Sequence, residues 1–511
     1  MDKKSNGFSS GLGFVLAAAG SAVGLGNLWG FPYKTHANGG AAFVLVYIAC
    51  VLFIGIITMV SEIFIGRRAQ ANPVTAFKFA SPKFGWFGVL AVLIPAFIAC
   101  YYSVLGGYTV RFAANSFFGN AGTFVTFASN KLSVIGFTAI FIGMALFVVM
   151  SGIKSGIERA SKVLMPALFL ILICIVIFSL CLGEGVAEGL SFYLKPDFSK
   201  LTGTGVLTAM GQAFYSLSLG MGAMVAYGSY TDKKINILKS TAMICICDTF
   251  VALLAGFAIF PAVYHYTATT GMEVESFQGV GLMFQTLPLV FEDLGFLGKT
   301  IGFFFFSMVA IAAVTSVISL LEVVCQFVIQ KFRVRRKKAV FVLSLICFAV
   351  SVPVGISLGQ VLAGQENAIV VFGQNLLDYF DIVTNTVLMP VCAFFGCITV
   401  GWIIGLKKTH EELEADGQKF GWFRSIFSVM VKYVTPLLIA LIEVIGVYDL
   451  IYPAKEGVRA FSANGFWITL TAYGLLAVGV VLYFVFFKNG HTGSNADEFE
   501  IEGRKASSDE K

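Results

Sequence analysis

Residues 20–33 read Gly20-Ser-Ala-Val-Gly-Leu-Gly-Asn-Leu-Trp-Gly-Phe-Pro-Tyr33, four glycines, an Asn and a Pro inside an otherwise apolar run. Each Gly lowers helix stability by about 1 kcal/mol relative to Ala, so several within two turns make unwinding easy. A second interruption, Ser216-Leu-Ser-Leu-Gly-Met-Gly222, lies about two hundred residues further on. Backbone that unwinds at membrane depth is tolerated only where it is buried in protein or lines a cavity. Such a break frees carbonyl oxygens for a cation, and the half-helix that follows presents N–H groups to a carboxylate. The competing reading is that these glycines only let helices pack closely. Paired breaks at corresponding positions of two halves favour a binding site at the interface of inverted repeats.

The surroundings of the two breaks are lipid-like. The chain has 511 residues, 57% hydrophobic and only 13% charged, with a mean hydropathy of +0.85. Soluble domains carry about 25% charge. Apolar stretches of about 20 residues, each long enough to span roughly 30 Å of hydrocarbon, recur throughout. They place spans near 11–35, 41–66, 85–115, 133–153, 163–183, 205–230, 235–262, 298–330, 339–358, 379–405, 430–451 and 464–487. The fold class is thus an all-α polytopic membrane protein of about twelve transmembrane helices, and soluble enzymes, nucleic-acid binders and secreted disulfide scaffolds are excluded. The two breaks fall in the first and sixth spans, each opening a set of five: 11–183 and 205–405, with 430–487 appended.

Charge fixes the expected orientation. With the amino terminus (1–10) inside, 27 of the 35 Lys and Arg fall at the inner ends and 8 at the outer, the run Lys331 to Lys338 being strongest. That is the positive-inside pattern of a multi-pass plasma (inner) membrane protein with both termini cytoplasmic. The net charge of +6 therefore points to topology, not to an anionic partner such as nucleic acid. No cleavable signal is apparent. All ten cysteines lie in apolar segments, implying no disulfide framework, and the four histidines lack metal-ligand spacing. The outer segment 264–298 is too apolar for a solvated linker, and Gly279 to Phe291 reads as a lid on the bundle. The inner loop 407–419 is of mixed charge. The tail 488–511, poor in apolar residues, reads as disordered and cytoplasmic.

Four acids stand inside the spans: Glu62, Asp248, Glu322 and Glu443. An ionised carboxylate there costs several kcal/mol unless paired or solvated. With no Lys or Arg at comparable depth, each calls for a bound cation, a proton or a hydrogen-bond network. The eighth span adds Ala312-Ala-Val-Thr-Ser316, whose hydroxyls either ligate an ion or bond back to the preceding turn.

The stretch 20–33, with Asn38-Gly-Gly-Ala-Ala-Phe43 after it, resembles the neurotransmitter:sodium symporter family. So do Tyr101-Tyr-Ser, Gln212-Ala-Phe-Tyr-Ser-Leu-Ser-Leu-Gly-Met-Gly-Ala, Asp248-Thr-Phe-Val-Ala-Leu-Leu-Ala-Gly, the lid, and Thr315-Ser-Val-Ile-Ser-Leu-Leu-Glu322. The matches run in order from about residue 10 to 490. The resemblance implies a leucine-transporter-type 5+5 inverted repeat with two further helices, acting as a sodium-coupled symporter. One Na+ site would use Gly20, Val23, Ala312, Thr315 and Ser316. The other would use Ala22, Asn27, Ser216 and Asp248 with the substrate carboxylate. The substrate would lie against Ser21, Ala22, Leu25, Gly26, Ile98, Tyr215, Ser216, Ser218, Met221, Ser316 and Leu320, with Tyr102 donating to its carboxylate.

An acid at 248 supplies a fixed negative charge beside the ions, so chloride-independent transport is expected. Where monoamine carriers of the family have an acid, this chain has Gly24, which argues against an amine lacking a carboxylate. Ile98, Met221 and Leu320 suit a small apolar or aromatic amino acid. The family's gate pairs look incomplete. Gly30 stands where an outer Arg is usual, leaving Asp381 alone. Ser5 and Phe8 replace an inner Arg and Trp, and Gln330 replaces the inner acid, while Tyr230 matches. Closure would then rest on packing, the lid, or Lys3 or Lys4. A proton-coupled carrier of the same fold, or a membrane sensor or enzyme that does not transport, are the rival readings.

Overall fold

Apolar residues recur on all sides of the long segments, and the computed structural model turns ten of them into helices fit to cross a bilayer among the described residues. Those residues are 7–118, 123–232, 234–271, 279–414, 421–455 and 458–488. Lys3, Lys4, Ser5, most of the carboxyl-terminal tail, 272–278 of the lid segment and 415–420 of the inner loop lie outside them. The unbroken spans are Ala41–Ala69, Trp86–Ser116, Lys131–Met150, Ile153–Leu180, Ile237–Thr270, Gly295–Phe332, Arg336–Leu362, Leu376–Glu414, Phe423–Ile451 and Ala463–Phe487. The first span is a bent pair, Gly11–Ala22 and Gly26–Ala37, with 51° between its halves. The sixth consists of Gly203–Ser216 and Ala223–Ser229, each too short to cross alone. Counting both broken pairs brings the total to the expected twelve.

Side-chain caps start the helices where the sequence supplies them. Ser10 accepts from Gly13 N, Asn130 from Ser133 N, Thr202 from Gly205 N and Asn236 from Lys239 N, each satisfying a backbone donor that the first turn leaves unpaired. In the sixth span the break is built from left-handed residues, Ser218 at φ 54°, Gly220 at 73° and Gly222 at 69°. A Cβ on Gly220 would lie 2.3 Å from the Met389 carbonyl oxygen, and one on Gly222 2.3 Å from that of Ala91. Conformation and close approach both demand glycine there.

The broken spans sit at the centre. The half Gly11–Ala22 packs on the fifth, seventh and eighth spans, and Ala223–Ser229 packs on the second. The third and eighth spans run against each other beside them. In the third span 83% of the most apolar stretch is buried in protein, against 22% and 17% in the eleventh and twelfth, which pack on the tenth and leave their other, apolar faces exposed. The seventh span runs on to Thr270, so 264–270 is helix, not lid. Beyond it Leu282, Met283, Phe284 and Leu287 are buried, and the Phe284 ring meets Tyr108, Phe112, Phe124 and Phe306. A two-residue hairpin, Val370–Val371 with Gln374–Asn375, precedes the tenth span.

Candidate functional site

The two unwound segments are tied to one another and to their neighbours by hydrogen bonds that regular helices would have made internally. Ser218 Oγ donates to the Ser21 carbonyl at 2.9 Å, and Gln212 Nε2 to that of Gly26 at 2.8 Å. Gly220 N donates to Glu62 Oε1 at 2.7 Å. Glu62 is therefore a cap for the broken sixth span, which explains one of the four buried acids.

Between the breaks lies a small cavity, about 20 Å³, lined by Ser21, Ala22, Gly24, Gly26, Ile98, Tyr102, Tyr215, Ser218, Met221, Ser316, Ser319 and Leu320. That is room for a water molecule rather than an amino acid. Of the residues expected to contact substrate, only Leu25 and Ser216 do not line it. Leu25 takes part through its backbone, its N–H donating to the Tyr102 hydroxyl at 2.7 Å. Gly24 and Ser319 line the cavity without having been assigned to it. A Cβ on Gly24 would fall 2.4 Å from the Tyr102 oxygen, and one on Gly26 2.8 Å from the Tyr215 ring. Ser319 was legible, since it follows Ser316 by three residues and so shares its helix face.

Ser216 belongs instead to a buried cluster around Asp248. Its Oγ donates to Asp248 Oδ2 at 2.6 Å, and Asn27 Nδ2 reaches Asp248 Oδ1 at 2.8 Å and Ser216 Oγ at 2.9 Å. Asn27 Oδ1 accepts from Gly24 N at 3.1 Å, and the Tyr47 hydroxyl lies 3.2 Å from Ser216 Oγ. Asp248 is 0% exposed, and among the described residues it forms no ion pair with Lys or Arg. The cluster thus offers a carboxylate, an amide oxygen and a hydroxyl, oxygen donors suited to a hard cation, with one uncompensated negative charge.

The second expected ion set is also drawn together. Ser316 Oγ lies 3.3 Å from the Val23 and Ser21 carbonyl oxygens and 3.1 Å from that of Ala312. Thr315 Oγ1 bonds back to Ile311 and Ala312 at 3.1 and 3.0 Å. A Cβ on Gly20 would be 3.3 Å from Thr315 Cβ, so the two helices touch at this point. Both hydroxyls bond back to the preceding turn, and Ser316 also reaches across to the first span.

For one of the four buried acids, Glu322, the structure corrects the expectation that no basic partner is within reach. Glu322 is paired with Arg336, which also donates to the Val149 carbonyl at 2.8 Å, and the Tyr230 hydroxyl donates to Glu322 at 2.7 Å. Arg336 opens the ninth span just after the tight turn at Arg333–Arg335, and the helical hairpin folds it back onto the eighth. Glu443 bonds to Tyr473 at 2.8 Å. Near the start of the first span, Glu158 receives Ser9 N at 2.7 Å, Ser9 Oγ and Lys162 Nζ, the last at 2.6 Å. Phe8 N donates to the Tyr230 carbonyl at 3.1 Å while its ring packs on Phe14, Tyr227 and Tyr230. Gln330 caps Asn72, bonding its N and Nδ2 at 2.8 and 2.7 Å. A vestibule of about 1170 Å³ opens beside this network, lined by Ser9, Glu158, Tyr230, Gln330 and Arg336 among others.

At the far end of the first span Asp381 is not alone either. Lys34, one helical turn beyond Gly30, attracts it through space and donates to Gln212 Oε1 at 2.8 Å. The Lys34 ammonium lies 5.8 Å from the centre of the Tyr215 ring, a cation–π contact beside the cavity. Asn385 Nδ2 completes the group, 2.5 Å from Asp381 Oδ1.

The chain resembles known transporters over most of its length. The sequence pattern of the sodium:neurotransmitter symporter family matches residues 5–123 and 130–489. An uncharacterized sodium-dependent transporter of Bacillus subtilis is 35% identical, with 85% of this chain and 96% of that one aligned. One of Haemophilus influenzae is 34% identical over 86% and 98% of the two chains. The sodium- and chloride-dependent neutral and basic amino acid transporter B(0+) of Mus musculus is 25% identical over 84% and 77%. Among solved structures, MhsT in complex with L-phenylalanine superposes with a TM-score of 0.76 at 33% identity, covering 86% of this chain and 99% of that one. With two broken spans facing one another across an oxygen-rich site and the family pattern matched over residues 5–123 and 130–489, the chain is a member of the sodium:neurotransmitter symporter family, a multi-pass family of sodium-dependent transporters.

Proposed function

We propose that the chain imports an apolar or aromatic amino acid together with sodium, independently of chloride, by alternating access. The observation that carries this reading is the buried cluster of Asp248, Asn27 and Ser216, whose hydrogen bonds join both broken spans around a carboxylate that has no Lys or Arg partner among the described residues. Sodium bound there, with Ala22 and the substrate carboxylate completing its shell, links ion and solute in one site. A second sodium bound by Gly20, Val23, Ala312, Thr315 and Ser316 joins the first span to the eighth. The Tyr102 hydroxyl donates to the carboxylate, and Ile98, Met221 and Leu320 enclose the side chain. MhsT, whose structure holds L-phenylalanine, supports an aromatic or apolar substrate.

Import follows if sodium and substrate each bind better to the states that lead inward, because a ligand shifts a conformational equilibrium only by its differential affinity. The first and sixth spans then move against the scaffold of the third and eighth, with both termini in the cytoplasm and the vestibule beside Glu158 as the inner exit in the plasma membrane. The apolar segment Gly279–Asp293 closes the outer side. Thermal stability of the purified protein with each of the twenty amino acids, in sodium against potassium, tests the reading. Stabilisation by apolar or aromatic amino acids in sodium alone is expected, and its absence for all twenty sinks the proposal. In liposomes, replacing chloride with gluconate should leave uptake unchanged, and a pH gradient without sodium should drive none.

A further inference from the structure

The basic run that begins at Lys331 meets the end of the twelfth span. Lys331 Nζ lies 4.9 Å from the centre of the Phe487 ring, which packs on Phe327 with ring centres 5.6 Å apart. Lys78, from the short helix Pro73–Ala80 between the second and third spans, donates to the Phe487 carbonyl at 3.3 Å. One turn back, the centre of the Phe484 ring is 5.2 Å from Lys488 Nζ. Three ammonium groups from three separate segments thus gather at one helix end. A helix C-terminus attracts a cation, and Lys78 at the Phe487 carbonyl meets that need. It does not account for Lys331 and Lys488, neither of which forms an ion pair among the described residues. In the turn before them Val481, Phe484, Val485 and Phe486 are exposed, so the site is cationic at its rim and apolar along the bilayer.

We infer that Lys331 and Lys488, with Lys78 beside them, hold the phosphate of an anionic phospholipid whose acyl chains lie along residues 481–486. A basic pocket between span ends at the membrane surface suits a phosphodiester headgroup, whose free oxygens accept charge-assisted hydrogen bonds from the ammonium groups. A zwitterionic headgroup brings a cation of its own, which the same lysines repel. The ring faces of Phe484 and Phe487 keep the two ammonium groups at the depth of the interface instead of letting them extend into water. The lipid then bridges the lightly buried twelfth span to the end of the eighth, a part of the frame. The inference is independent of which solute is carried.

Native mass spectrometry of the purified protein, released from micelles holding equimolar phosphatidylglycerol and phosphatidylcholine with the same acyl chains, counts the lipid that stays bound. With about fivefold for each of two lysines, the first bound lipid should be phosphatidylglycerol by about 25-fold. Lys331→Gln/Lys488→Gln should bring that ratio close to one, and Lys331→Arg/Lys488→Arg should keep it. Lys337→Gln/Lys338→Gln removes the same charge from the start of the ninth span and should leave the ratio unchanged. An equal fall in both glutamine pairs would mean a diffuse positive field and overturn the inference. So would displacement of the lipid by millimolar sn-glycerol 3-phosphate, which marks a site for small anions. No preference in the wild type, the outcome if the chain's own Asp497, Glu498, Glu500 and Glu502 hold these lysines, would overturn it as well.

Discussion

Asp248 holds the charge on which the proposed coupling depends. Asn27 and Ser216 bond both of its oxygens, so the carboxylate is oriented but not neutralised. Asp248→Ala should weaken sodium-dependent substrate binding by at least about tenfold, the scale of one charge-assisted hydrogen bond, while the protein remains folded. Sodium titration of ligand binding measures it, and an unaltered sodium midpoint would remove Asp248 from the site. Asp248→Asn keeps the shape and loses the charge, so on the proposed reading uptake by this variant is expected to require chloride. Gly24 acts by absence. Because a Cβ there falls on the Tyr102 oxygen and 2.8 Å from Ser316 Oγ, Gly24→Ala should abolish amino-acid binding with little loss of thermal stability. This position was readable from sequence as a missing acid, but not as a contact of Tyr102.

The broken sixth span and the network at the start of the first span each work as an element. Gly222 has φ 69° and packs on the Ala91 carbonyl, so Gly222→Ala meets both a disfavoured conformation and a clash. A loss of about 1–3 kcal/mol is expected, seen as a lower thermal midpoint in sodium and in potassium alike. At the other element, Glu322 is 0% exposed while Arg336 keeps 24% of its side chain accessible. Glu322→Gln leaves the guanidinium partly solvated, so the expected cost is about 2 kcal/mol, below that of breaking a fully buried pair. Tyr230 also loses a charged acceptor, and the start of the first span should loosen. Faster amide exchange over residues 7–22 would reveal this, and unchanged exchange there would show that Tyr230 and Glu158 hold the segment without Glu322.

Across the whole molecule, the burial of the third and eighth spans and the breaks in the first and sixth separate a frame from moving parts. Sodium with substrate should slow amide exchange in 11–37 and 203–229, and leave 86–116 and 295–332 near their values in potassium. Uniform protection of all four regions would argue against a rigid frame. The twelve spans and both breaks could be read from the residues alone, because lipid and helix propensity act on contiguous stretches. Twenty apolar residues must span, and glycines beside Asn or Ser at that depth must unwind or pack closely. The resemblance also named most of the residues that line the cavity. What it did not supply are the pairings made across spans: Ser21 with Ser319, 298 residues apart, Lys34 with Gln212, 178 apart, and Ser9 with Glu158, 149 apart. Even Glu322 and Arg336, 14 apart, meet only because a hairpin turns one helix back on the other. Sequence determined which segments cross the membrane and where two of them break. Tertiary structure decided which polar groups meet, because helix rotation and loop closure set the facing sides, and neither is a local property of the chain.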